Sequence, residues 1–559
     1  MARRGHTYPH VRISAGDLVN TALGSLAPRA RVDDELLRAT RLDLTGFVAP
    51  RDARVVLRED LRRAAALGLG GLPAARVARA IPVVDAGTSE ITVRRELARG
   101  APLVLIREGT TSMGAVAPPG PEGARAMGLS LAPRLGAALD QTAHRLLRRV
   151  ARLAEGQGSR AFAVGGVVRD AVRGEIPNDR RDLDVVVDGD GLAVARLLAA
   201  ETGGKLVEHR RFLTASMVDP GGRRVDVATA RAESYEVPGA LPHVRPATID
   251  GDLHRRDFTV NAMAAELSSE SFCLVDPLGG RRDVQERRLR VLHPLSFVED
   301  PTRLFRAARY AARLGLTPDP WTVECRRLAL ELAPFDALSG ARLIAELKLV
   351  LNEAQPERAL AMLGTDDVFR LLDRDYRYTP TTASGLGRLG STLAWSQTLA
   401  LAVIPVELLL LVLLDDQTPR IAAGALRRLS VNAESTSRLL AVLQRTRLLL
   451  TRLRAASTRS AAARDLRGRA GLELAWLWLH GDTAVRRTVM RFLERDAAVE
   501  PWLSGDEVIA LGIPRGPAVG RVLAELRDGR LDRTLPGRAA ARHHVRRRAS
   551  APGAGWAGG

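Results

Sequence analysis

A chain of 559 residues with 46% apolar residues is long enough for roughly three to five domains, each able to bury a core of its own. Only two cysteines occur, Cys273 and Cys325, and neither stands in a CxxC or Cys/His cluster; this argues against a disulfide framework and a zinc site and makes a reducing cytoplasm the expected compartment. The formal charge of +19 is carried almost wholly by arginine, Lys205 and Lys348 being the two lysines, and such an excess of planar guanidinium forks points to a polyanionic partner, nucleic acid ahead of membrane.

Residues 1–118 mix β-like runs, such as Arg54-Val55-Val56-Leu57 and Ile81-Pro82-Val83-Val84, with helical segments, and their polar, basic start does not read as a signal peptide. The Pro- and Gly-rich stretch Ala117 to Gly123 reads as a linker. From Arg134 to Glu155 apolar residues recur at helical spacing, so residues 119–157 are expected to be linker plus one long amphipathic helix. Strands and helices alternate over 158–290. Residues 291–355 and 356–535 read as helix almost throughout, with Leu399 to Leu414 a buried helix rather than a membrane span because Pro405 and Glu407 interrupt it. Ser504 is expected to cap a helix, and 536–559, with Arg546-Arg547-Arg548 before a Gly/Ala end, to be a basic disordered tail.

Chemistry concentrates in the alternating region. Ala163-Val164-Gly165-Gly166-Val167-Val168-Arg169-Asp170 reads as strand, glycine turn and helix start, where exposed amides favour a phosphate. Seventeen residues after Gly165 comes Asp182-Leu183-Asp184, followed by three valines. Alternation along a strand projects both carboxylates to one side, and two adjacent anions call for a hard cation such as magnesium. Taken alone, the pair also fits a solvated strand end. Asp226, in the short run Arg224-Val225-Asp226-Val227, would complete a set of three acids able to hold two ions; alternatively it is only the partner of a nearby arginine. The approach Asn178-Asp179-Arg180-Arg181 is long and basic. Arg255-Arg256-Asp257-Phe258-Thr259-Val260-Asn261 is expected to open a helix with Asp257 as its cap, and Arg303, Arg306, Arg309 and Arg313 recur at helical spacing along one stripe.

The ordered segments GGVVRD, DLD, RVDVATAR, RRDFTVNAMA, DPLGGRRD and FVEDPTRLFRAARYAARLG resemble the class II tRNA nucleotidyltransferase and bacterial poly(A) polymerase family over about residues 158–350. The resemblance implies an α+β fold: a nucleotidyltransferase palm of mixed sheet and helices, followed by an all-helical neck, body and tail. It implies magnesium, two ions, at Asp182, Asp184 and Asp226 as catalytic and metal-binding residues. The same resemblance makes Gly165, Gly166, Arg169 and Asp170 a nucleotide cradle, assigns Arg256, Asp257 and Asn261 to orienting the ribose and its neighbours, Asp300 and Arg303 to reading the base edge, and Arg306 and Arg309 to the triphosphate. Arg342 and Glu346 fall in the family's next motif, as a buttress of the neck. The implied reaction adds A, or CCA, from ATP and CTP to the tRNA 3′ end with release of pyrophosphate. Poly(A) tailing of RNA stays open within the family, as does, in another class, an inactive RNA-binding or adenine-nucleotide-sensing protein. Residues 54–61 and 81–85 resemble part of a CBS-domain pair, α/β in character, in which Asp60 would match a ribose-contacting acid. The second copy is degenerate, and such pairs suggest a homo-oligomer.

Overall fold

The computed structural model describes residues 14–49, 54–118, 125–174, 182–268, 272–333 and 335–550; the basic segment Asn178 to Arg181, most of the Pro/Gly-rich stretch expected as linker and the Gly/Ala end lie outside the described residues. The chain divides into two compact units, residues 1–346 and 347–559.

The first unit is built on an eight-stranded mixed sheet. Its order is Lys205–His209, Thr214–Val218, Arg224–Thr229, Leu183–Asp188, Arg160–Val164, Ala264–Leu267, Phe272–Val275 and Arg125–Ser130. Neighbours are antiparallel except Leu183–Asp188 and Arg224–Thr229, which run parallel with Asp184 opposite Asp226. The Val185-Val186-Val187 run is buried on both faces, as a central strand requires. Helices Gln141–Gly156 and Gly191–Thr202 pack against the sheet. Phe162, Val164 and Val186 close a core with Ile249 and Leu253 of the helix Ile249–His254. Each such buried side chain contributes about 1.5–3 kcal/mol. By alternation, the sheet side that carries Val186 also carries Asp182 and Asp184.

Three expectations are corrected in this unit. The stretch taken as linker supplies an edge strand, Arg125–Ser130, because its backbone finds partners on Phe272–Val275. The single long helix is two, Ala132–Ala138 and Gln141–Gly156, since Asp140 turns its carboxylate onto the Ala143 amide and starts the second as an N-cap. Asp257 caps no α-helix: it accepts from the Phe258 amide at the head of a one-turn 3₁₀ segment, Thr259–Asn261.

Upstream, residues 14–118 carry a four-stranded sheet (Leu23–Ser25, Gly46–Val48, Arg54–Leu57, Arg79–Ala80) and a three-stranded sheet (Val83–Asp85, Val104–Glu108, Thr111–Val116). Asp60 is buried and clamped by two arms of Arg79, at 2.6 and 3.0 Å.

The second unit is helical. The predicted buried helix begins at Pro405, where proline suits the first helical position, and Leu408 to Leu414 are all buried. Ser504 caps Gly505–Ala510 in a reciprocal box with Glu507. The expected disordered tail is corrected over its described part: Arg538–Ala549 is a helix, because Ala541 and Val545, one turn apart, are fully buried against Val522 and Leu526. Among the described residues no helix is long and apolar enough to cross a membrane.

Candidate active site

One cavity of about 830 Å³ in the first unit gathers every predicted site residue except Asp226 and Arg309. Its floor is the junction between Arg160–Val164 and the helix Gly166–Arg173. The turning residue, Gly165, has φ +71°, a conformation strained for any side chain, and a Cβ there would touch Asp184.

Asp182 and Asp184 stand beside this turn, exposed to the cavity, with Leu183 between them fully buried. Burial by the surrounding walls, reinforced by the negative charges of Asp226 and Asp182 against the pull of Arg256 and Arg224, pushes the Asp184 carboxyl up to about 6. Asp226 is the register partner of Asp184 but accepts from Arg224 Nε at 2.9 Å and from the Ser216 hydroxyl. Among the described residues no three His, Cys, Asp or Glu side chains are already gathered as a metal-ligand cluster. The donor set nevertheless fits a hard dication: carboxylate oxygens on adjacent strands, one of them with its ionisation opposed by its neighbours.

The facing wall is a chain of charge-assisted hydrogen bonds. Buried Arg169 donates to Asp170 at 2.9 Å and to Asn261 Oδ1 at 2.8 Å; Asn261 Nδ2 donates to Asp257 at 3.1 Å; Asp257 takes Arg306 Nε at 2.8 Å and Nη2 at 2.6 Å. Burial opposes the Asp257 charge, yet Arg306 and Asn261 hold its carboxyl below the usual range. Arg306 also donates to the Tyr310 hydroxyl at 2.9 Å, and the guanidinium groups of Arg169, Arg306 and Arg313 all lie within 6 Å of the Tyr310 ring centre.

Asp300 accepts from Thr302 and, at 2.8 Å, from Arg342 Nη2, while buried Arg303 donates to Ser296 at 2.7 Å and to the Arg255 carbonyl at 2.9 Å. Both side chains line the cavity. Arg309 stands apart from the wall and faces Glu346 at 3.6 Å; Glu346 itself lines the cavity.

Several wall and support residues escaped the sequence reading. Asp252, fully buried, holds Arg255 through one oxygen at 2.7 Å and Arg256 through the other at 2.7 Å. Its spacing of three and four from two arginines was a readable signal. Tyr310 carried a similar one, a turn beyond Arg306. Glu233 and Tyr235 also line the cavity, and nothing in their local pattern marked them.

Paired acids at a strand end, facing a glycine turn and an arginine wall across one cavity, define the class: a nucleotide-handling head domain. Residues 161–290 match the poly A polymerase head domain. An A-adding tRNA nucleotidyltransferase of Geobacter sulfurreducens is 35% identical over 66% of this chain, which spans 43% of that relative's length. A CC-adding tRNA nucleotidyltransferase of Deinococcus radiodurans is 35% identical over 65% of this chain and 82% of its own. The solved complex of a CCA-adding enzyme with ATP aligns at a TM-score of 0.65 and 27% identity, covering 75% of this chain and 98% of that one. The protein belongs to the class II tRNA nucleotidyltransferase family.

Proposed function

We propose that this protein adds nucleotides from a nucleoside triphosphate to the 3′ end of tRNA, with adenosine from ATP as its own addition. The observation that carries the reading is the Asp182/Asp184 strand end facing the Arg169, Arg306 and Arg313 wall across a single cavity. The terminal hydroxyl of the tRNA forms a new P–O bond at the α-phosphorus in line, the bond to the β-phosphate oxygen breaks, and pyrophosphate leaves while the hydroxyl proton passes to solvent. Asp182 and Asp184, with Asp226 beside them, would hold magnesium, which when bound supplies charge neutralisation and a more acidic hydroxyl. Arg306, held by Asp257 and Tyr310, and Arg313, beside the Tyr310 ring, face the triphosphate; Arg256, Asp257 and Asn261 orient the ribose. Asp300 and Arg303 present directional donors and acceptors to the base edge, so protein rather than template selects it. A-adding relatives at 38% and 40% identity, above the 35% of the CC-adding relative, support ATP as the substrate.

Residues 14–118 are read as a CBS-like module with a structural role, which the clamping of Asp60 by Arg79 supports. Primer extension on tRNAs truncated by one or three nucleotides, with ATP and CTP offered separately, tests the whole reading. ATP alone is expected to extend the tRNA ending in CC. Incorporation of CTP would reject the A-only form, and incorporation of neither would reject the function.

A further inference from the structure

Asp300 is the extended joint, φ −134° and ψ 95°, between the short helix Ser296–Glu299 and the helix Thr302–Leu314. Its carboxylate lines the nucleotide cavity, whereas that of the preceding residue, Glu299, is buried and belongs to a separate cavity of about 300 Å³ behind the wall. Glu299 Oε1 receives Arg63 Nη1 at 3.3 Å, from the helix Arg58–Ala66 in the N-terminal region, 236 residues upstream. Its other oxygen faces His293 Nε2 at 3.2 Å, and burial holds that imidazole below its ordinary range. Arg63 is itself anchored by Glu59 at 2.7 Å.

Residues flanking the helix that carries Arg63 tie the N-terminal region to the rest of the first unit. Arg79 donates to the Leu292 carbonyl at 3.3 Å, and Arg54 and Arg76 pair with Glu324 and Glu331. Gly100 lies so close to Leu278 and Gly279 that a Cβ would stand 2.1 Å from the Leu278 carbonyl oxygen.

We propose that Arg63 is a positioning residue for nucleotide selection: it neutralises Glu299 from behind the wall and so fixes the joint that presents Asp300 to the cavity. Without Arg63, the buried carboxylate loses the guanidinium that hydrogen-bonds it and keeps only His293 and the more distant charge of Arg303. Two responses lower that penalty: the joint shifts toward the open cavity behind it, or Glu299 draws on the Arg303 guanidinium. Each disturbs the pair assigned to the base edge, and the inference rests on that assignment.

The test uses the full chain and two readouts, calorimetric binding of Mg–ATP and the KM and kcat of ATP transfer to tRNA ending in CC. Arg63→Met is expected to raise Kd and KM about tenfold while kcat at saturating ATP stays within about twofold. Arg63→Lys, which keeps the charge without the fork, should fall between, and Glu299→Gln added to Arg63→Met should restore much of the binding by removing the stranded charge. Arg54→Met, at an exposed pair of the same docking face, is expected to change neither constant. Unchanged nucleotide binding in both Arg63 variants, or an equal shift in Arg54→Met, overturns the proposal. If Arg63→Met does not fold, Arg63→Lys against Arg54→Lys carries the same comparison. Because binding is read without transfer, a protein that transfers nothing rejects the proposed function and leaves this comparison intact.

Discussion

Asp184 and Asp226 sit directly opposite one another on the parallel strands at the centre of the sheet, and the charge of Asp226 resists the ionisation of Asp184. The repulsion is kept at the place where the chain opens onto the cavity lined by the arginine wall. Asp184→Asn is expected to lower kcat for nucleotide transfer by at least about 10³-fold, the scale on which metal and electrostatic contributions act. It should leave tRNA binding intact and the melting temperature unchanged or raised, since one of two repelling charges is gone. A gel-based transfer assay and a thermal melt decide it; near-full activity sinks the assignment of Asp184.

Asp257 and Arg306 form a doubly hydrogen-bonded ion pair in the facing wall, 49 residues apart in sequence. Arg306→Met strands a buried carboxylate and is expected to destabilise the first unit by about 3 kcal/mol, with ATP KM rising in parallel. Adding Asp257→Asn should recover most of the stability. A double-mutant cycle from urea unfolding measures the coupling; additive effects would mean that the pair is not a unit.

His480, at the end of the helix Gly471–His480, packs edge-on to Trp476 and is held down to about 4 by burial and by the charges of Arg388 and Arg447. In the unfolded chain it titrates near its ordinary value. Between those two values the unfolded state binds the proton and the folded state does not, so stability falls on acidification. From pH 7 to pH 5 this one group should cost about 2 kcal/mol. Urea titrations at the two pH values, followed by tryptophan emission, should show a smaller drop in His480→Gln; an equal drop would assign the effect elsewhere.

The basic C-terminal helix Arg538–Ala549 depends on two small buried side chains. Val545→Asp should release it, because a lone carboxylate has no partner in that apolar cluster. Hydrogen exchange over 538–549 is expected to quicken by about 100-fold or more, while Arg547→Asp, on an exposed position of the same helix, leaves protection near its original level. Equal exchange in the two variants would show that packing does not hold this helix.

Local periodicity already determined much of the site. A two-residue repeat placed Asp182 and Asp184 on one side of a strand, glycine chemistry marked the turn at Gly165, and the spacing of Arg303 and Arg306 set both on the cavity wall. Such patterns are legible because they depend on backbone geometry over a few residues. Only the tertiary structure decided which charges meet. It joined Arg306 to Asp257, Arg342 to Asp300 and Arg63 to Glu299, set Arg309 against Glu346, and made Asp252 the anchor of two arginines. It also recruited Arg125–Ser130 into the sheet and folded the basic tail, because unpaired backbone and a pair of small apolar side chains gain from partners that the topology brings near. With 81 arginines in the chain, composition offers each carboxylate many possible cations; the path of the backbone selects one.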